Sequence, residues 1–260
     1  MTKLIDTRES VRVVTSNNFW KIPGLEDLNI KERKLLLLAI AQCKLKDNEF
    51  FTYEISVKEF AEFMGIDASN LFKESYGICK KLFNKEFEYV DEKTGYDLIH
   101  LFSRCTYIKK DHKIVFKLNS ELSTMFLNLK KDFSQPLLND FSKMKSLYAM
   151  QLWQLFQEEM KSKKPYGTKV LEFELTLDEL RKATGTQEKL KQLSQFKEKV
   201  LDKAIQEIYD NCGVKITYTN IKKSRTVIGF HFKAVTKYYI EPEQMTLEMF
   251  EKLQKIENSQ

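Results

Sequence analysis

Glycine and proline are scarce in this 260-residue sequence, which has 8 Gly and 4 Pro. So few turn-forming residues exclude a collagen-like or linker-like chain. The two common glycine-rich phosphate-binding patterns, GxGxxG and GxxxxGK followed by Ser or Thr, do not occur anywhere in the sequence. A nucleotide cofactor held by such a loop is therefore not expected.

Long apolar runs are also missing. The longest covers residues 35–41, far short of the roughly 20 residues that a helix needs to cross a bilayer. The opening residues 1–8 lack the apolar stretch of a secretory signal. The four cysteines form no CxxC pair, which indicates free thiols in a reducing compartment. These absences predict a cytoplasmic protein without a membrane partner.

Residues suited to metal-dependent catalysis are sparse. The three histidines, His100, His112 and His231, are isolated from one another. An enzyme that nicks a DNA strand through a bound metal would need a His-hydrophobic-His metal pair and a nucleophilic tyrosine at the scissile phosphate. Tyr238 and Tyr239 lack such metal ligands, so we interpret them as apolar anchors. No Cys/His cluster has the spacing of a zinc site, and we predict no metal, no cofactor and no enzymatic activity.

The composition is that of a folded, mildly basic protein. Hydrophobic residues make up 42% and the formal net charge is +6, so the chain can close one or two cores. Residues 136–240 hold 19 basic against 12 acidic residues, whereas residues 1–135 hold 22 against 20 and residues 241–260 hold 2 against 5. This distribution favours a nucleic-acid partner for the second half. A solvated lysine- and glutamate-rich surface is the alternative.

An internal duplication organises the chain. Residues 51–65 and 171–185 match at a shift of 120, with a period-two apolar pattern that changes to helical spacing. The change occurs at Ser56 and Thr176, which are typical helix N-caps, and each is followed three residues later by a glutamate that completes a capping box.

A second helix and a hairpin follow in each copy. The second helices are expected at residues 68–83 and 191–209, and their apolar residues match at a shift of 125. These residues are Leu71, Tyr76, Cys79 and Phe83 in the first copy and Phe196, Leu201, Ala204 and Ile208 in the second. The hairpins are expected at 101–108 with 113–118 and at 214–221 with 226–234, and apolar helices at 30–43 and 146–161 precede the two copies.

This order of elements is that of a winged helix, in which a helix-turn-helix is followed by a β-hairpin wing. We predict an α+β protein with two tandem winged-helix domains related by internal duplication. The expected domains are residues 30–135 and 136–240, with an N-terminal arm at 1–29 and an acidic tail at 241–260 that is either a packed helix or an extension. Helix pairs with a purely structural role are the alternative.

The layout resembles the initiator Rep proteins of iteron-containing, theta-replicating plasmids, the RepB/RepE type. Residues 31–41, 141–156 and, most specifically, 193–208 carry the likeness, the last through the pattern FKxKVLxxAIxEI. Many relatives have a proline near Ala204 where this sequence has none, so we expect a straight helix here.

The resemblance implies a function. Such proteins bind repeated origin DNA as monomers and an operator inverted repeat as dimers, open the origin, and recruit host replication proteins such as the initiator and the helicase. It further implies that the first winged helix supplies the dimer interface.

The residues themselves indicate where DNA would bind. Residues 191–209 form the second recognition helix, and the residues expected in its buried stripe are Phe196, Val200, Leu201, Ala204, Ile205 and Ile208. Its other faces present amides, a hydroxyl and ammonium groups that can contact base edges or phosphates. The candidates on this helix are Lys191, Ser194, Gln195, Lys197, Lys199 and Lys203. The candidates on the second wing are Lys222, Lys223, Ser224 and Arg225. Auxiliary phosphate contacts are expected from Lys73, Lys80, Lys81, Lys109 and Lys110 of the first copy.

Each candidate has a simpler interpretation, as an ordinary exposed helix residue or as a charged hairpin tip that blunts a sheet edge. Two rival functions also remain at this point. One is a tandem winged-helix transcriptional repressor that never opens DNA, and the other is an interaction protein whose winged helices contact protein.

Overall fold

The computed structural model describes residues 2–6, 11–17, 19–44, 47–91, 95–162 and 170–236. The helices are α1 (Ile30–Ala41), α2 (Val57–Met64), α3 (Ala68–Asn84), α4 (Ser123–Phe126), α5 (Leu138–Lys143), α6 (Leu147–Ser162), α7 (Leu177–Thr184), α8 (Leu193–Phe196) and α9 (Lys203–Cys212). The strands are β1 (Thr2–Leu4), β2 (Thr15–Ser16), β3 (Thr52–Ser56), β4 (Glu86–Asp91), β5 (Gly95–His100), β6 (Phe102–Ile108), β7 (Lys113–Leu118), β8 (Phe133–Ser134), β9 (Val170–Thr176), β10 (Val214–Lys223) and β11 (Thr226–Thr236).

The duplicated strand-to-helix junctions have the same stereochemistry. The Ser56 hydroxyl accepts a hydrogen bond from the Glu59 amide at 3.1 Å, and the Thr176 hydroxyl accepts one from the Glu179 amide at 3.1 Å. Both glutamates return a bond to the cap amide, as the capping-box pattern predicts. Helices α2 and α7 both end at a glycine in the left-handed region, with φ of 65° and 61°. The duplication predicted from the sequence is confirmed at this level.

The first domain is built on the four-stranded sheet β1-β3-β7-β6, in which β1 runs parallel to β3. The hairpin predicted at residues 101–108 and 113–118 is present as β6 and β7. A second hairpin, β4–β5, stands between α3 and β6 and was not predicted. Its first strand alternates glutamate with apolar residues, a period-two pattern that was readable in the sequence.

The second domain has the three-stranded sheet β10-β11-β9. Phe173 of β9 faces Phe232 of β11 in register. Their rings stack at 5.3 Å, and Phe156 of α6 packs on both at 5.4 and 5.0 Å. The helix that precedes the duplicated unit is therefore joined to its sheet by an aromatic core.

Helix α3 buries a different set of residues from the one that the duplication suggested. Its buried residues are Leu71, Ser75, Ile78, Cys79 and Leu82, whereas Tyr76 is 62% exposed and Phe83 is 41% exposed. The buried set follows the 3.6-residue period of an α-helix. Two of the four apolar residues matched between the copies therefore lie on the surface in the first copy.

The corresponding helix of the second copy is not a regular α-helix. Residues 193–212, called the α8–α9 helix below, contain a π-helical segment, Lys197–Asp202, between α8 and α9. The fully buried residues Phe196, Val200, Ala204 and Ile208 recur at every fourth position. A 3.6-residue period would rotate them progressively off one face, and a wider π turn keeps them aligned. The helix predicted at residues 191–209 is therefore present at residues 193–212, with a π-helical segment that the sequence analysis did not predict.

The two domains share one hydrophobic core and a polar seam. Arg33 of α1 is buried, donates from Nε to Gln154 Oε1 of α6 at 3.1 Å and from Nη1 to the Leu25 carbonyl at 3.1 Å, and lies over the Trp20 ring at 4.6 Å. Burial lowers the pKa of Arg33 to about 9, against a rise caused by Glu26. The guanidinium remains charged at neutral pH and ties α1 to α6.

Part of the N-terminal arm, which sequence reasoning could not interpret, belongs to the body of the protein. Strand β2 pairs with β8, and Phe19 and Val13 are buried. The acidic tail, Tyr238 and Tyr239 lie outside the described residues. Among the residues described, no helix is long and apolar enough to cross a membrane.

A buried carboxyl on α6 makes the stability of the fold depend on pH. Glu158 is buried and its Oε1 atom has no hydrogen-bond partner among the described residues. Burial raises its pKa from 4.5 to about 8, against a lowering by Lys21 and with a further rise from Glu159. Between these two values the folded state holds a proton that the unfolded chain has released, so stability falls as pH rises.

We expect Glu158→Gln to remove this dependence. The variant should be more stable than the parent at pH 8, by about 2–4 kcal/mol, and the two should converge near pH 5. Urea denaturation from pH 5 to 8.5 measures this, with Glu62→Gln, at an exposed position of α2, as the control that keeps the buried carboxyl and its neighbours. Parallel stability curves for parent and Glu158→Gln would contradict the prediction.

Candidate nucleic-acid interface

The α8–α9 helix is held to the protein by one apolar face. Its buried residues are Phe196, Val200, Leu201, Ala204 and Ile208, which confirms the predicted stripe except for Ile205, which is half-buried. At its C-terminal half, Glu207 accepts hydrogen bonds from the amides of Lys145 and Ser146. The helix is therefore fixed along its length, and its opposite face is open.

The open face carries several of the predicted DNA contacts. Ser194, Lys199 and Lys203 are exposed and Gln195 is half-buried. Lys199 and Lys203 form no ion pair with the residues that the structure describes. Their ammonium groups are available to an acceptor outside the protein.

Two other lysines of the predicted set have partners within the protein. Lys197 is half-buried, its Nζ lies 3.4 Å from Asn220 Oδ1, and it sits 5.2 Å from the centre of the Tyr218 ring. Lys191 is exposed and pairs with Glu188 at 2.9 Å. A direct DNA contact by either residue stays a prediction, and Lys197 has an evident role in joining the helix to β10.

A second contact joins the helix to the same strand. The Tyr218 hydroxyl donates to Asp202 Oδ1 at 2.6 Å. Burial and then Asp202 raise the pKa of Tyr218 above its ordinary value, so the hydroxyl keeps its proton. Lys197 and Asp202 thus attach the π-helical segment to two alternate positions of β10, which fixes the helix relative to the wing.

The wing is the end of the β10–β11 hairpin, residues 221–228, and it projects beyond the third strand. Strand β9 pairs with β11 only as far as Gly229, which faces Thr176. A Cβ atom at Gly229 would lie 2.6 Å from the Leu175 carbonyl oxygen, so the two backbones approach too closely for any other residue without a shift. Lys222, Lys223, Ser224 and Arg225 are all exposed at the tip, and Ser224 adopts the left-handed region with φ of 58°.

The first domain presents a different surface. Lys73, Lys80, Lys81, Lys109 and Lys110 are exposed as predicted, but they share the surface with Tyr76 and Phe83. Phe83 stacks against His100, with the ring centres 6.3 Å apart. The basic charge is therefore mixed with exposed aromatic area.

A cleft of about 590 Å³ lies beside these lysines. It is lined by Asp27, Asn29, Glu32, Lys80, Lys81, Asn84 and Lys85. Lys81 lies 3.7 Å from Glu32 and Lys85 lies 3.5 Å from Asp27. Because carboxylates already neutralise two of the lysines, the cleft is a poor cradle for phosphate.

Arg181 positions the chain that enters the α8–α9 helix, and sequence reasoning missed it. Its guanidinium donates to the carbonyl oxygens of Thr186, Lys189, Leu190 and Lys191, at 2.9 to 3.2 Å. It also lies over the ring of Phe196 at 4.7 Å. No local pattern signals these contacts, because an arginine at the end of α7 looks like a solvated residue.

His231 of β11 faces carboxylates. Its ring nitrogens lie 3.5 Å from Glu172 and 3.3 Å from Glu174, on neighbouring strand β9. This face of the sheet is thus unsuited to DNA. Within the described part of the chain no group of three or more His, Cys, Asp or Glu residues could hold a metal ion.

Comparison with known protein families gives two matches. The model described as "Initiator Replication protein, WH1" matches residues 12–157, and the model described as "Initiator Rep protein, WH2" matches residues 176–234. Together they cover well over half of the chain. No match was found among curated protein sequences.

Several solved structures are similar to this chain, and the first of them shares its fold. The Pi initiator protein, crystallised in complex with iteron DNA, is 18% identical, with a TM-score of 0.75 over 89% of this chain and 100% of that one. Domains 2 and 3 of RctB are 10% identical, with a TM-score of 0.50 over 82% and 84%. The WH1 domain of the replication protein MSBI1.176, isolated from a multiple sclerosis patient, is 18% identical, with a TM-score of 0.33 over 42% and 90%.

We expect Arg181→Ala to loosen the entry to the α8–α9 helix. Loss of four carbonyl partners should lower the free energy of unfolding by about 1–3 kcal/mol and speed amide hydrogen exchange in residues 186–193. Lys182→Ala is the matched control, because Lys182 is exposed and pairs with Asp178 in its own helix. Unchanged exchange in residues 186–193 of Arg181→Ala would show that the loop is held by other contacts.

Proposed function

The chain belongs to the initiator replication protein family, and on that premise we propose that it binds double-stranded origin DNA at repeated sites, or iterons, and promotes opening of the adjacent duplex. The α8–α9 helix reads base edges in the major groove, and the basic wing contacts the neighbouring backbone. Residues 30–135 add phosphate contacts from their lysines.

One observation carries the proposal. The open polar face of the α8–α9 helix and the basic wing are fixed beside each other, through Lys197 with Asn220 and Asp202 with Tyr218. A helix that enters the major groove from a rigid support places the same side chains on the same bases each time. The fixed arrangement of helix and wing therefore favours sequence-specific DNA binding rather than non-specific binding by a basic surface.

The energy of binding is used in two ways. Each good paired contact to a base edge contributes about 1–3 kcal/mol of discrimination, whereas phosphate contacts position the protein and add affinity on any sequence. Bending a DNA site of about 20–30 base pairs costs on the order of 1–6 kcal/mol. Strain held by two domains on one repeat lowers the further cost of melting adjacent A+T-rich DNA.

The remaining partners are proposed on the same premise. Self-association through the first domain, with dimers that bind an operator inverted repeat and repress the gene, is supported by the exposed Tyr76 and Phe83 of α3. Host replication proteins such as the initiator and the helicase are the further partners. The protein acts in the cytoplasm, where plasmid DNA replicates, and it catalyses no covalent step itself.

The base-reading role predicts a selective effect of Gln195→Ala. We expect it to weaken binding to a duplex selected by the parent protein from random sequences by about 1–3 kcal/mol, while binding to unrelated DNA stays nearly constant. Fluorescence anisotropy titrations measure both. Gln206→Ala is the matched control, since Gln206 is exposed on the same helix and bonds to Asp210. An equal loss of affinity for both DNAs would show that Gln195 contacts the DNA backbone or only stabilises the fold, and does not read bases.

The wing predicts the opposite behaviour. Lys222→Ala combined with Lys223→Ala should weaken binding to all DNA and reduce the slope of log affinity against log salt by up to about 2, because each neutralised phosphate contributes about 0.9. The control is Lys215→Ala combined with Lys233→Ala, which removes the same charge from exposed positions of the same sheet outside the wing. An unchanged slope would show that Lys222 and Lys223 of the wing do not contact DNA phosphates.

The test of the initiator activity is genetic. A plasmid that carries only the origin region should replicate when this protein is supplied in trans, and should fail to do so with Gln195→Ala. Specific DNA binding without replication would favour the rival function of a transcriptional repressor. The absence of any specific binding would contradict the proposal as a whole.

A further inference from the structure

Ile228 lies at a break in the register of the wing. Ile221 of β10 pairs with Gly229 of β11, but the next residue, Lys222, pairs with Val227. Ile228 is therefore an extra residue in β11, that is, a β-bulge. Its side chain is 43% exposed, whereas Val227 is half-buried and packs on the core.

The exposure of Ile228 departs from the pattern of its strand. Phe230, Phe232 and Ala234 are buried at every second position of β11, and strict alternation would place residue 228 on the same face. The core has ended at this level, because Gly229 is the last residue that β9 contacts. The bulge lies directly beyond Gly229 and directs the Ile228 side chain toward solvent. Bulges commonly redirect side chains in this way.

The surroundings of Ile228 select one class of ligand. Lys222, Lys223 and Arg225 are exposed within the same hairpin, and no acidic residue occurs between residues 211 and 240. A protruding apolar side chain in a wholly basic hairpin suits a surface that is anionic outside and apolar inside. A DNA groove has this character, with phosphates at its edges and sugars and base edges at its floor.

We propose that Ile228 is an apolar wedge that enters the minor groove beside the recognised major groove and opens a base step there. Lys222, Lys223 and Arg225 bind the phosphates on either side and hold the wing in place. This inference rests on the proposed DNA-binding function and adds to it a residue that deforms the duplex.

The chemistry suits the role. Isoleucine is branched at Cβ and has few χ1 rotamers, so little side-chain freedom is lost when it is inserted. Apolar side chains that enter a base step from the minor groove unstack it partially and kink the duplex. A kink close to A+T-rich DNA would favour its opening, since flexible steps deform at lower cost.

The test uses a duplex selected by the parent protein from random sequences, with 2-aminopurine placed at each step near the site in turn. The parent should raise the fluorescence at one step through unstacking. Ile228→Ala should abolish that rise and weaken binding about ten- to a hundredfold, from the loss of a buried side chain, without changing the salt slope. Ile228→Phe should keep the rise. Leu98→Ala is the control, because Leu98 is 70% exposed on the β4–β5 hairpin.

The outcomes separate this inference from the function on which it rests. If the parent selects no sequence, the DNA-binding function itself fails. If the parent and Ile228→Ala bind and raise fluorescence alike, Ile228 is not a wedge, although the function stands. Equal DNA binding combined with a loss of binding to vesicles of anionic phospholipid would assign Ile228 to a membrane surface instead and overturn the inference.

Discussion

The second half of the protein depends on the four-residue spacing of Phe196, Val200, Ala204 and Ile208. All four are fully buried, and a regular α-helix would carry them around its axis by about 40° at each step. The π-helical segment absorbs this rotation, so that one apolar face stays on the core from end to end. The same segment presents Lys197 and Asp202 to β10. The π-helical segment thus has two roles, because it keeps the apolar face of the helix on the core and attaches the helix to the strand that leads into the wing.

The two copies of the duplicated unit have diverged on the surface while keeping the same junctions. Their capping boxes and left-handed glycines are superimposable in geometry, because these local features are needed to turn a strand into a helix and to end that helix. The outer faces obey no such constraint. Helix α3 exposes Tyr76 and Phe83, whereas the α8–α9 helix exposes Ser194, Lys199 and Lys203. One copy is therefore suited to contacts with apolar surface and the other to contacts with polar groups and phosphates.

Local signals explain what could be predicted from the sequence. The caps at Ser56 and Thr176, the hairpins and the buried stripe all depend on residues within a few positions of one another, so pattern reasoning reached them. The pairing of β2 with β8 joins segments more than 100 residues apart, and no local pattern announces it. Arg181 and the bulge at Ile228 are invisible for the same reason, because their role is set by carbonyl groups and strand register that appear only after folding. The π segment was readable in principle, since an apolar period of four is too long for an α-helix.

The buried guanidinium of Arg33 links α1 to α6, and α6 packs through Phe156 on the sheet of β9, β10 and β11. It donates to Gln154 Oε1 of α6 at 3.1 Å and to the Leu25 carbonyl at 3.1 Å. Moving α1 away from α6 would separate the guanidinium from Gln154 Oε1, in a seam that also buries Gln151 and Glu158. A shift of the seam therefore needs new partners for several buried polar groups at the same time. Because α3 packs on α1, and α6 packs on the sheet that carries the wing, these buried groups oppose a relative movement of α3 and the wing.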